Sequence, residues 1–150
     1  MKVIGRVEKG GITLNGIEAF HDTAKGASRG RNIIFTITAD DITVCHLGDL
    51  GHPLTEEQIK KIGRVDILLM PVGGYFTIEK DAIDSVINSL KPKIIIPMHY
   101  KTDKCGLSIA GVDAFLKGRK GVRHFKESEI AIKKDLLPKE TEIFVIPPSN

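Results

Sequence analysis

At 150 residues, 41% apolar and 27% charged with a formal net charge of +3, the chain has the size and balance of one globular domain. Such a domain buries roughly 70% of its unfolded surface. No apolar run approaches the ~20 residues that cross a bilayer, and Met1-Lys2-Val3-Ile4-Gly5-Arg6 lacks a long apolar signal core, so a cytoplasmic protein without membrane contact is expected. Cys45 and Cys105 form no CxxC pair, and the basic residues fall in two separate clusters, Lys25/Arg29/Arg31 and Lys117/Arg119/Lys120/Arg123. A disulfide framework, a cysteine zinc site and nucleic-acid binding are therefore not expected.

Val3 to Val7 reads as a short strand ended by the turn signal Lys9-Gly10-Gly11. Ile12 to Phe20 alternates apolar with other residues, with Asn15-Gly16 as a hairpin turn or bulge. Thr23 to Arg31 has two glycines, three basic residues and no large apolar side chain, the composition of an exposed loop. Ile33 to Ile37 and Ile42 to Leu47 are β-branched runs joined by Ala39-Asp40-Asp41, which predicts an antiparallel pair.

Beyond that pair the period changes. Thr55 and Gln58 form a capping box at the start of a helix that Gly63 stops, with Ile59 and Ile62 as its buried stripe. Val65 to Met70 is a continuous apolar strand. Ile78, Ala82, Ile83, Val86, Ile87 and Leu90 then keep helical spacing, with Thr77 as the cap and Pro92 just past the end. Lys93 to Pro97 is another strand, Ile109 to Leu116 a third helix, and Val122 to Phe125, Glu129 to Ile132 and Glu142 to Ile146 are closing strands. A β-α-β-α-β series favours parallel strands, so the expected fold is α/β: a mixed sheet with helices on one face, in a single domain over residues 1–150.

The stretch Val44-Cys45-His46-Leu47-Gly48-Asp49-Leu50-Gly51-His52 runs from a strand into a turn that sets a carboxylate among imidazoles. His21, Asp49 and His99 each follow a strand end. In such sheets, sites lie beyond the carboxyl ends of strands, so residues distant in sequence can converge there. Two imidazoles and a carboxylate suit zinc, and also manganese, iron or nickel; a set with open positions lowers the pKa of bound water to about 7. The competing reading makes each histidine an ordinary hydrogen-bonded residue and Asp49 a partner of turn amides. His46 and His52 are assigned to packing and support. Arg29 and Arg31, close after His21, are placed at the substrate, because guanidinium forks match anionic groups, and Asn32 of the same stretch is placed there with them.

His46-Leu47-Gly48-Asp49-Leu50-Gly51-His52, Asp66-Ile67-Leu68-Leu69-Met70-Pro71-Val72-Gly73-Gly74 and Ile96-Pro97-Met98-His99-Tyr100 resemble the C-terminal half of metallo-β-lactamase-fold hydrolases. The likeness is to the branch related to ascorbate-phosphate lactonase. By that resemblance His21 is the third-motif histidine, Asp49 the bridging aspartate and His99 the last-motif histidine. It implies hydrolysis of an ester, lactone or phosphodiester by metal-bound hydroxide.

The family's HxHxDH cluster does not occur in this sequence. The expectation is accordingly an N-terminally truncated half of the αββα sandwich, with one weak metal site at most and impaired activity. Its expected partners are a small anionic substrate and either a second copy or a complementary N-terminal half. The alternative is a non-catalytic half-domain serving as an assembly or binding module.

Overall fold

The structure, a computed structural model, describes residues 5–149. Eight strands form one sheet: β1 (Gly5–Lys9), β2 (Ile12–Phe20), β3 (Arg31–Ala39), β4 (Ile42–His46), β5 (Ile67–Pro71), β6 (Ile94–Met98), β7 (Val122–His124) and β8 (Glu142–Val145). Their order is β1-β2-β3-β4-β5-β6-β8-β7. The first four pair antiparallel and the rest parallel, so β4 is the seam between two kinds of ladder. Helices α1 (Glu56–Ile62), α2 (Lys80–Leu90) and α3 (Val112–Leu116) connect the parallel part. This is the mixed α/β architecture expected; residues 3 and 4 of the first expected strand lie outside the described residues.

Alternation along the central strands sorts the core. Leu68, Met70 and Ile95 face the layer formed by Ile62, Ile83, Val86, Leu90 and Phe115 of the three helices, while Ile67, Ile94 and Phe144 face the other side. Burying Ile83, Val86 and Leu90 on one stripe of α2 stabilises the fold by about 1.5–3 kcal/mol for each side chain. The other face is covered in part by Phe125, Ile130, Ile132 and Leu137. Towards β1 it opens: Ile37 is 39% and Val7 61% exposed.

Several local expectations are corrected. Asn15-Gly16 is neither turn nor bulge; β2 runs straight through it, pairing Gly16 with Gly5 on one side and Phe35 on the other, and the hairpin turns at Gly10-Gly11 instead. Glu129 to Ile132 pairs with no strand among the described residues. Ile130 and Ile132 lie over the second core ahead of a short 3₁₀ turn, Lys134–Leu136, so their alternation reports one-sided burial without a ladder. Thr77 does not cap α2, whose cap position is Glu79. The Ile78 amide donates to the Leu50 carbonyl at 2.7 Å, which keeps the chain extended past Thr77 and delays the helix. In α1 the Thr55/Gln58 box forms with both of its bonds.

Asp66, at the N-terminal end of β5, is 2% exposed. Its carboxylate accepts from the Thr43 amide at 2.9 Å, from Arg64 Nη2 at 2.7 Å and from Lys134 Nζ at 3.1 Å to each oxygen. Burial disfavours its charge, yet the Thr43 amide, Arg64 and Lys134 outweigh that and hold the carboxyl below its ordinary value. One side chain thus ties β4, β5 and the 3₁₀ turn together.

Cys45 is wholly buried in β4, and burial pushes its thiol up to about 12. At pH 8 roughly one part in ten thousand is thiolate, the reactive form. Titration of the native chain with an aromatic disulfide reagent should modify half-buried Cys105 and leave Cys45 untouched until denaturant is added. Two thiols reacting at one fast rate would contradict that burial.

Candidate metal centre

The carboxyl ends of β2, β4, β5 and β6 share one rim, and the turns leaving them are fastened to one another by main chain. After β4, Leu47 donates to Leu69 O at 3.1 Å and Gly51 donates to Phe20 O, at the end of β2, at 3.0 Å. A Cβ on Gly51 would press into the His21 carbonyl and lie 2.6 Å from the Asp22 nitrogen, so only glycine lets the Asp49 turn seat against His21. Asn32 reaches in from β3: its Nδ2 donates to Leu47 O at 2.8 Å and its Oδ1 accepts from the Asp49 amide at 3.1 Å. The Gly48 amide donates to His46 Nδ1 at 3.0 Å.

His99, past the end of β6, has φ +51°, a left-handed backbone rare outside glycine and found at functional sites when the surroundings enforce it. The enforcing contact is Gly73, which follows β5 and donates to His99 O at 2.9 Å; a Cβ there would overlap that oxygen. His99 Nε2 thereby stands 3.9 Å from Asp49 Oδ1.

That gap is too long for a hydrogen bond. Two donors each about 2.0–2.2 Å from one ion stand about 3.3–3.5 Å apart in a tetrahedral set, so the pair is roughly half an ångström wider than a bound ion would draw it. On the same rim, His21 Nε2 and His99 Nδ1 are buried without a hydrogen-bond partner among the described residues. An orphaned buried polar atom costs about 1–3 kcal/mol, which coordination at His21 Nε2 would relieve. The fit is partial. Among the described residues no three His, Cys, Asp or Glu side chains gather as one ion-holding group. Asp49 and His99 face each other, while His21 meets the Asp49 turn through its carbonyl, against Gly51. His99 Nδ1 also lacks the acceptor that ordinarily orients a ligating imidazole.

The residues placed at the substrate have other engagements. Both ends of the Asn32 amide hold the Asp49 turn. Arg29 donates from Nη1 to Phe76 O at 3.3 Å and lies 5.4 Å over the Phe76 ring. Arg31 is exposed, with Nε 3.8 Å from Glu18 Oε1. His52 supports the rim as expected, its Nε2 accepting from the Phe20 amide at 3.2 Å and its Nδ1 lying 2.7 Å from Pro53 O.

Asp22 was not singled out in the sequence, and it organises the whole loop. Its carboxylate accepts from the amides of Ala24 at 2.8 Å, Gly26 at 2.9 Å, Ser28 at 3.1 Å and Arg29 at 2.7 Å. The Arg29 amide foremost, against the opposing effect of burial, lowers its carboxyl below the ordinary value. The available signal was an acid at the head of a turn-rich stretch, where a short carboxylate serves its own backbone.

Known proteins resemble this chain in sequence and in fold. Residues 2–99 match the profile of the β-lactamase superfamily domain. The UPF0173 metal-dependent hydrolase of Thermoplasma acidophilum is 32% identical over 65% of this chain and 44% of its own. That of Carboxydothermus hydrogenoformans is 36% identical over 68% and 47%. The chain therefore spans about half the length of the curated relatives it matches. A Thermotoga maritima metallo-β-lactamase superfamily structure superposes with a TM-score of 0.84 at 37% identity, covering 97% of this chain and 70% of that one. Among the described residues no helix is long and apolar enough to cross a membrane.

Proposed function

This chain belongs to the β-lactamase superfamily, with the metallo-β-lactamase fold, and from that membership we propose that it is the part of a metal-dependent hydrolase that contributes His21, Asp49 and His99 as ligands. The observation that carries the reading is the Asp49–His99 pair, 3.9 Å apart, on the rim that also carries His21, whose buried Nε2 has no hydrogen-bond partner among the described residues. Mixed nitrogen and oxygen donors suit zinc first, with manganese, iron and nickel as competitors. Support for zinc also comes from the Thermotoga maritima protein, provisionally described as a Zn-dependent hydrolase. The chemistry a bound ion supplies at such a rim is Lewis-acid polarisation and activation of water towards an ester, lactone or phosphodiester.

The chain's own residues hold and orient. Asn32 and Gly51 fix the Asp49 turn, Gly73 holds His99 in its left-handed backbone, and Arg31, exposed and engaged among the described residues only by a 3.8 Å approach to Glu18, offers its fork to an anionic group of the substrate. The relatives are about twice as long, and on this reading the rest of the donor set is supplied from outside the matched span. In metal analysis and zinc titration of the full chain, weak uptake of at most one ion is expected. Asp49→Ala or His99→Ala should weaken it by at least about 100-fold, since outer contacts alone are worth 10–100-fold. Unchanged uptake in both variants would remove the reading.

The open sheet face at Val7 and Ile37, with the incomplete donor set, favours a second reading: an assembly module that buries that face against a second copy. A dimer mass in sedimentation with no measurable zinc would support it over the first. A monomer that takes up zinc would exclude it.

A further inference from the structure

Asp22 is 7% exposed, yet it makes no ion pair among the described residues; all of its hydrogen-bonding capacity goes to four amides between Ala24 and Arg29. Two constraints bracket that loop. In front of it the His21 amide donates to Gly30 O at 3.1 Å, closing the loop's two ends on each other, while the His21 carbonyl is pinned under Gly51. Behind it Arg29 gives its amide to Asp22 and its guanidinium to Phe76 O and the Phe76 ring, on the segment that follows Gly73. The carboxylate is thus the hub of a span that begins one residue after a candidate ligand and ends on the opposite loop.

The chemistry of the hub cannot be shared. Oδ1 takes the Ala24 and Gly26 amides and Oδ2 takes those of Ser28 and Arg29, so each oxygen accepts twice. A carboxylate has the lone pairs for this, whereas an amide side chain offers one accepting oxygen and a donating NH₂. No other described side chain bonds to these four amides.

We propose that Asp22 is a positioning residue of the metal rim, holding His21 at its imidazole orientation and Arg29 at its clasp on Phe76 through these four amide bonds. The proposal rests on the metal-ligand reading of His21 and deepens it, since it assigns how a ligand candidate whose Nε2 has no hydrogen-bond partner among the described residues is kept in place.

The test compares the 150-residue chain with Asp22→Asn and Asp22→Glu, and with Asp66→Asn, another buried carboxylate at the far end of the strands, as the control for general loosening. Three readouts are taken: melting temperature, amide hydrogen exchange with His21 imidazole resonances by NMR, and cobalt(II) titration. Asp22→Asn should speed exchange at Ser28 and Arg29 at least tenfold, shift the His21 imidazole signals and weaken cobalt binding about 10–100-fold. Asp22→Glu should restore part of each, and Asp66→Asn should lower the melting temperature while leaving His21 and cobalt binding unmoved. Asp22→Asn with parental exchange at Ser28 and Arg29 and parental His21 signals would overturn the proposal. So would a control that perturbs His21 equally. If the parental chain takes up no cobalt, the metal reading fails by itself, and the exchange and imidazole signals still decide the role of Asp22.

Discussion

Gly51→Ala should lower stability by about 3 kcal/mol and displace His21, an effect out of proportion to one methyl group. Overpacking ordinarily costs 1–3 kcal/mol, because side chains shift to make room. Here the atoms met by the new Cβ are the His21 carbonyl carbon and oxygen and the Asp22 nitrogen, all main chain, and neither partner can rotate away. The same movement would stretch the Gly51 to Phe20 bond at 3.0 Å that docks the Asp49 turn on β2. In a domain of this size each kcal/mol moves the melting temperature by roughly 2–4 °C, so a drop of about 6–12 °C is expected by calorimetry. A melting temperature within about 2 °C of the parent would show that the two turns are not held against each other as described.

Asp66→Asn has a comparable effect for an electrostatic reason. The substitution removes the charge that holds Arg64 and Lys134 and leaves a donating NH₂ facing them. Hydrogen bonds to charged groups contribute about 1.5–3 kcal/mol each, and both cations can still reach water, so a net loss of about 2–3 kcal/mol is expected. The pH dependence follows from the direction of the shift. Because the folded carboxyl titrates below the unfolded one, the folded state binds fewer protons in the acid range, and the contribution is complete above the unfolded value. It is lost as pH falls through the lower, folded value. Thermal melts should thus show a constant gap between parent and variant from pH 7 to 5 that closes below about pH 4. A gap that widens towards acid would reverse the assignment.

The elements were legible where one local signal had one structural outlet. β-branched runs around Ala39-Asp40-Asp41 could only become the β3–β4 hairpin, and Thr55 with Gln58 could only start a helix. They were misread where two outlets competed. Asn15-Gly16 has turn chemistry, but Gly10-Gly11 had already turned the chain and strands on both sides needed Gly16 as a partner. Ile130 and Ile132 alternate as a strand does, and the sheet supplied a face to cover instead of an edge to extend.

At the rim, the strand-end rule located His21, Asp49 and His99 on one side of the sheet, since it depends only on topology. Which side chains face each other depends on backbone details that no local pattern encodes. The left-handed turn at His99 is set by Gly73, from another strand, and Asn32 acts on a turn fifteen residues further along. Asp22 escaped notice for the related reason that its partners are amides, which every residue but proline carries.

That reliance on peptide groups has a consequence for redesign. Since Phe20, Leu47, Gly51, Met98 and His99 are interlocked by N–H and C=O, the cradle does not depend on the identity of the candidate donor side chains on it. Position 49 or 99 could be exchanged for cysteine, glutamate or a second imidazole to retune ion preference with the scaffold unaltered. Positions 51 and 73, which carry no side chain at all, are the ones where such tinkering has no latitude.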